Sequence, residues 1–372
     1  MLTRELGRTE LKVPVIGFGG ARVGIGSPRE FVLGNGGPRW DEAVKIVRTA
    51  YEMGIRYFDT SRRYADSDEK IGYALKDVRD EVVIATKCQT RGRKETERLL
   101  RHSFRNLQTD VLDIVQLHGF DREDWLQKAL SRDGALAALK KARKEGSIRF
   151  IGITGHNPFV LTRAIKTGEF DTVLAPLNAV EREALEELIP TAKELNVGIV
   201  AMKSFIITPD QVYDFVRGPE ELQRLYGTGP GDQAERVLRY VLGHDISVVI
   251  VGFTSISEIQ QALRVAENFH GLTEEEKKIF RFGQLPPEPW CRECRRCLPC
   301  PEFIPIPTVL RYHKFFTFHN MQNYSTNHYR ALSTRANVCT ECGECEPRCP
   351  YKLPIVKMLQ EADETLRERH SW

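Results

Sequence analysis

The chain has 372 residues, a formal net charge of +3 and 41% hydrophobic residues. That length holds one large core and a small second domain, and the near-balanced charge argues against nucleic-acid or membrane-surface partners. No apolar run approaches a membrane span. Nothing at the N-terminus reads as a secretory signal, so a cytoplasmic, reducing setting is expected.

In chain order, residues 2–12 alternate around Gly7, the pattern of a short hairpin. Over 13–270, short apolar or β-branched runs then alternate with amphipathic stretches. The runs are 13–17, 55–58, 82–86, 112–117, 148–153, 172–175, 197–201 and 247–251. The helical periods between and after them are 42–53, 69–76, 95–107, 136–145, 159–167, 183–195, 234–243 and 257–268. Eight strand–helix pairs predict an α/β fold, a closed (β/α)8 TIM barrel, with a doubly wound open sheet as the alternative. The basic stretch 140–144 reads as a solvated helix face.

Two longer segments, 20–40 and 204–231, would leave the C-terminal face of the barrel after strands one and seven and shape the substrate pocket. Gly17, Gly19, Gly20, Gly24 and Gly26 do not make a dinucleotide fingerprint. That motif opens directly into a helix, and none begins before about Asp41. A helix over 274–282 and a proline-rich linker over 284–289 follow. The expected division is a barrel over 1–284 and a small, mainly helical domain over 285–372. A short C-terminal helix is expected from Ile355.

Eight of the nine cysteines lie in that last part: Cys291, Cys294, Cys297 and Cys300 before Pro301, and Cys339, Cys342, Cys345 and Cys349 before Pro350. Each run is C-x-x-C-x-x-C with a fourth Cys followed by Pro, the spacing of a ferredoxin-like module with two 4Fe–4S clusters. The crossed arrangement gives Cys349 to the first three thiolates and Cys300 to the second three; pairing within each run is the alternative. Two zinc sites are the competing metal reading. Cys88 reads as a buried strand-end thiol.

At the carboxyl ends of successive strands stand Asp59, with Tyr64 five residues on, Lys87 and His118. A barrel brings such ends to one mouth. Tyr, Lys, Asp and His together suit proton transfer to a carbonyl oxygen: a cationic Lys lowers the pKa of the phenol, and Asp keeps the Lys charged.

On these residues the chain resembles the aldo-keto reductase family. The matching segments run from Phe58-Asp59-Thr60-Ser61-Arg62-Arg63-Tyr64 to Ser67-Asp68-Glu69, with Ala85-Thr86-Lys87, Gln116-Leu117-His118 and the run from Gly146 to Gly152. With both cysteine runs it is similar to the branch carrying a C-terminal dicluster domain. The resemblance implies an oxidoreductase that transfers hydride between NADP, or NAD, and a small carbonyl or alcohol substrate. Tyr64 would be the general acid, Lys87 and Asp59 would tune it, and His118 would orient the carbonyl.

The cofactor grip departs from the family pattern. Thr154-Gly155 replaces Ser-Asn, Leu174 a Gln, Met202 and Lys203 an aromatic, and Ile259 and Ala262 the Arg and Asn of the adenosine-phosphate grip. His156, Asn178, Lys203 and Arg264 are candidate substitutes. Gly19, Thr154, Met202, Gly252 and Thr254 complete the candidate cofactor contacts. The clusters would brace the small domain, exchange electrons with a ferredoxin-like partner or a barrel substrate, or sense redox state.

Overall fold

In a computed structural model the residues described are 1–24, 38–178, 181–204, 230–274, 289–317 and 322–367. The hairpin expected at the N-terminus is present: β1 (Thr3–Glu5) pairs antiparallel with β2 (Lys12–Pro14). Its turn carries Gly7 at φ +52°, where a Cβ would lie 2.2 Å from the backbone nitrogen of Gly198. Only glycine fits that close approach.

The first predicted run, 13–17, is divided. Pro14 closes the hairpin, the chain bends at Val15, and the barrel strand β3 is Ile16–Gly19. Proline has no N–H for a sheet ladder, so it ends one strand rather than continuing into the next.

Seven more strands follow: β4 (Tyr57–Asp59), β5 (Val83–Cys88), β6 (Leu112–Leu117), β7 (Ile148–Thr154), β8 (Thr172–Pro176), β9 (Gly198–Met202) and β10 (Val248–Val251). They are parallel, and β10 pairs with both β9 and β3, which closes the barrel. Side chains alternate along a strand, so register decides what shares a layer. Asp59 is opposite Ala85, and Lys87 is opposite Gln116. Towards the N-terminal end, Tyr57, Ala85, Ile114, Leu174, Val200 and Val248 pack with Leu6 and Val13 of the hairpin. This apolar plug fills the bottom of the barrel and leaves the C-terminal mouth for chemistry.

The helices follow the predicted periods: α1 (Trp40–Glu52), α2 (Ser67–Leu75), α3 (Arg93–Leu107), α4 (Glu123–Leu130), α5 (Ala135–Lys144), α6 (Pro158–Lys166), α7 (Leu188–Glu194), α8 (Pro230–Leu242) and α9 (Ile256–Glu267). On α3 the buried residues Thr96, Leu100, Ser103 and Leu107 recur at helical spacing and form its inner face. The basic stretch 140–144 is solvated, with Lys140 paired to Glu169 at 2.6 Å and Arg143 to Asp171 at 3.2 Å.

Two helices differ from expectation. α4 was not anticipated: it is an extra helix in the connection between β6 and α5, where a barrel repeat calls for one. The helix predicted over 183–195 begins only at Leu188, after a 3-10 turn at Glu183–Leu185. Pro190 cannot donate an i→i−4 bond and is tolerated only in a first turn.

The second unit is built from α10 (Ile306–Thr317), α11 (Gln322–Arg330) and α12 (Ile355–Leu366). Ile306, Val309, Leu310, Leu353, Leu359 and Ala362 form its core with Cys297 and Cys345. Buried Tyr329 donates to Asp363 at 2.5 Å and accepts the Ala336 N–H at 3.0 Å, which ties α11 and α12 to the turn that leads into Cys339. Most of the segments 20–40 and 204–231, the helix 274–282 and the linker 284–289 lie outside the described residues.

Candidate active site and thiol cavities

At the mouth, Lys87 and Asp59 form a buried ion pair. Lys87 Nζ also donates to the Thr60 carbonyl at 2.9 Å, and Gln116 Nε2 donates to Asp59 Oδ2 at 3.0 Å. Lys87 Nζ also lies 5.0 Å from the centroid of the Tyr64 ring. Tyr64 meets His118 edge to face at 6.3 Å. The four candidate catalytic residues are therefore brought together.

The loop after β4 is held by Ser67 at the start of α2. Its Oγ donates to the Gly20 carbonyl at 2.7 Å and meets Thr60 Oγ1 at 2.9 Å. A Cβ on Gly20 would lie 2.6 Å from Ser67 Oγ and 2.8 Å from the Asp59 carbonyl. The chain passes there only as glycine.

Electrostatics modify one expectation. Burial pushes the Tyr64 phenol above its ordinary value, and the opposing pull of Lys87 is smaller. The phenol is thus loaded with its proton, and the lysine eases its ionisation without bringing it down to neutrality. Burial pulls Lys87 down, but Asp59 and Tyr64 more than restore it, so it is held charged. Burial likewise pushes Asp59 up, against Lys87 and Gln116.

For His118, burial and then the Lys87 charge lower the pKa to about 3. Its folded value lies below the unfolded one, so stability is lost as pH falls from about 6.5 towards 3. We expect His118→Gln to reduce that acid destabilisation, read as Tm against pH.

Three contributors were not singled out from sequence. Gln116 holds Asp59. Ser61 Oγ meets His118 Nδ1 at 3.3 Å. Arg91 stacks between Phe120 and Trp125 and donates to the carbonyls of His118 and Gly119 at 3.3 and 3.0 Å. A polar residue facing inward beside Lys87 was a readable signal for Gln116; Ser61 and Arg91 sit in loops without period.

The cofactor candidates scatter more. Gly19 and Gly252 adjoin at the β3–β10 seam, where a Cβ on Gly252 would meet Arg22 Cγ at 2.5 Å. Thr154 ends β7, and Met202 ends β9 opposite Pro176. Asn178 is buried with its amide engaged, donating to Glu181 at 3.2 Å and to the Lys203 carbonyl at 3.1 Å and accepting the Glu181 N–H at 2.7 Å. Lys203 has φ +56°. His156 pairs with Asp121, whose carboxyl it holds down at about 2 against the upward push of burial. Thr254 gives its N–H to Glu258 at 2.7 Å, and Glu258 also closes the capping box of α9. Ile259 and Ala262 are buried, and Arg264 is exposed. Asn178 and Thr254 spend their polar groups within the protein.

A cavity of about 680 Å³, lined by Arg4, Lys193 and His244 among others, lies at the other end of the barrel and contains none of the candidate residues.

None of the nine cysteines is in a disulfide. Cys88 is fully buried, with its pKa pushed up to about 12 by that burial, so it is inert as a nucleophile. The other eight sort into two cavities. Cys291, Cys294, Cys297 and Cys349 line one, and Cys300, Cys339, Cys342 and Cys345 line the other. This is the crossed arrangement. Among the described residues no three His, Cys, Asp or Glu side chains are placed to hold one metal ion. Each thiol set rings a cavity instead, which suits a multi-iron cluster better than a single zinc ion. No helix among the described residues is long and apolar enough to cross a membrane.

Comparison with known proteins agrees with both parts. Residues 15–281 match the family model described as Aldo/keto reductase family, and residues 290–354 match one described as 4Fe-4S dicluster domain. The chain is similar to L-galactose dehydrogenase of Arabidopsis thaliana, 29% identical over 301 residues that cover 72% of this chain and 89% of that protein. It is similar to D-threo-aldose 1-dehydrogenase of a Pseudomonas species, 29% identical over 231 residues that cover 52% and 67%. A solved aldo-keto reductase of Bacillus halodurans, in its holo form, matches with a TM-score of 0.61 at 24% identity, covering 76% of this chain and 95% of that one. The barrel, the grouped side chains at its mouth and the match over 15–281 together place this chain in the aldo/keto reductase family, with a 4Fe-4S dicluster domain following in sequence over 290–354.

Proposed function

We propose that the barrel, over residues 1–284, reduces a small carbonyl compound to an alcohol, with Tyr64 as general acid and NADP(H), or NAD(H), as cofactor. The observation that carries this reading is the buried Asp59–Lys87 pair set against the Tyr64 phenol. When bound, the nicotinamide supplies a hydride to the carbonyl carbon. The C=O π bond breaks, and the oxygen takes the proton of Tyr64 Oη. Lys87 stabilises the phenolate as it forms, and solvent then reprotonates it. Ser61 Oγ lies 3.3 Å from Nδ1 of neutral His118; in the tautomer where Ser61 is the donor, Nε2–H is left to hold the carbonyl oxygen. Gly19, Gly252, Thr154, Met202 and Lys203 are the residues that would line the cofactor.

Both dehydrogenase relatives bear names of sugar substrates, so aldoses belong in the substrate panel beside simple aldehydes and ketones. The experiment follows NADPH and NADH oxidation by anaerobically purified protein with that panel. Carbonyl-dependent oxidation is expected, and oxidation indifferent to carbonyl would overturn the reading.

A second reading concerns residues 285–372: the clusters pass electrons to a one-electron carrier. Ile306 lines both thiol cavities, so they adjoin as a relay requires. Direct wiring to the barrel does not follow, because hydride moves two electrons and a cluster moves one. Carbonyl turnover that survives Cys342→Ser would keep the two activities separate.

A further inference from the structure

The surroundings of the two thiol cavities differ in charge far more than in burial. Between Cys291 and Cys297 stand Arg292, Arg295 and Arg296 against Glu293, and Arg311 lies 3.7 Å from the Glu293 carboxylate. Between Cys339 and Cys345 stand Glu341 and Glu344 with no basic residue. Arg292 and Arg295 line the first cavity. Glu302 and Arg348 line the second, but Arg348 is paired with Glu344 at 3.3 Å and donates to the Pro299 carbonyl at 2.9 Å. Each set has one buried thiol, Cys297 or Cys345, and of the rest only Cys342 is exposed. Cys291 Sγ also accepts the Glu293 N–H at 3.4 Å.

Reduction adds negative charge to a thiolate-bound cluster. Nearby cations and N–H···S bonds stabilise that charge and raise the potential, and nearby carboxylates lower it. Water at Cys342 raises the potential of the second cluster, but it acts at one ligand of four, whereas the charge contrast spans both loops.

We propose that the arginine-bearing loop 291–297 sets the cluster of Cys291, Cys294, Cys297 and Cys349 at a higher midpoint potential than the cluster of Cys300, Cys339, Cys342 and Cys345. An electron delivered to the second cluster by a one-electron reductant then passes to the first. That step oxidises the second by one electron and reduces the first by one, with no bond made and no proton moved. This inference does not depend on the chemistry of the barrel.

The test is a dithionite titration of the full chain, purified anaerobically with both clusters, with mediators and EPR detection. The parent is expected to show two separate one-electron waves. Arg295→Asn with Arg296→Glu alters two exposed side chains, and asparagine accepts the φ of +61° at residue 295. It should move the upper wave down and leave the lower one in place. Glu341→Lys with Glu344→Lys should raise the lower wave. Iron content verifies loading; if the arginine pair variant loses iron, Arg296→Gln reads the same direction. A merged wave in the parent, or an arginine variant that leaves the upper wave unmoved or moves the lower one, overturns the assignment.

Discussion

Replacing Tyr64 with phenylalanine is expected to lower kcat/KM for carbonyl reduction by about 10²- to 10⁴-fold, the usual contribution of a positioned general acid. The change removes one oxygen and little else. The ring remains to pack edge to face on His118, and Lys87 keeps Asp59 and the Thr60 carbonyl as partners. The fold and cofactor affinity should therefore hold. Burial keeps the phenol above its ordinary pKa, so the parent enzyme starts with the proton in place. The variant has no proton to give, and the developing alkoxide must take one from water. Single-turnover kinetics at saturating cofactor, beside fluorescence titration of cofactor binding, separates a lost proton from lost binding. A variant within threefold of the parent would remove Tyr64 from the mechanism.

The mouth of the barrel was legible because a parallel barrel converts sequence order into convergence. Asp59, Lys87 and His118 each stand within one residue of a strand end, and the register sets Asp59 and Lys87 on adjoining strands. The cysteine spacing left crossed and within-run pairing open, and the two cavities group the thiols in the crossed way. What escaped had no period to read. Ser61 and Arg91 act from loops whose paths depend on contacts made by other elements, such as Ser67 on Gly20. The acidity of Tyr64 depends on how deeply the phenol is covered, and a motif does not encode depth. The cofactor contacts were hardest. The reach of Asn178 towards cofactor is limited by Glu181 and Lys203, which already hold its amide, and a one-residue reading cannot foresee a local competitor.

Removing the charge at residue 87 should have the largest effect on stability. Lys87 and Asp59 are 2% and 1% exposed, so Lys87→Met leaves a buried carboxylate with Gln116 as its remaining side-chain donor. Breaking a buried pair from one side costs about 3–5 kcal/mol, because the remaining charge keeps its desolvation penalty without its partner. Part of that cost is relieved if Asp59 takes up a proton, which burial already favours. Urea unfolding followed by tryptophan fluorescence should therefore give a smaller loss for Lys87→Met at low pH than at high pH. The double variant Lys87→Met with Asp59→Asn removes both charges and should recover most of the stability, a coupling read directly from the double-mutant cycle. Neither variant should recover carbonyl reduction, since the phenolate of Tyr64 then forms without a neighbouring cation. Stability regained with activity still lost would separate the two roles of the pair: as a buried ion pair it adds little over a neutral replacement, and the fold retains it for the proton it helps Tyr64 to release. A Lys87→Met loss below about 1 kcal/mol would mean instead that water reaches Asp59.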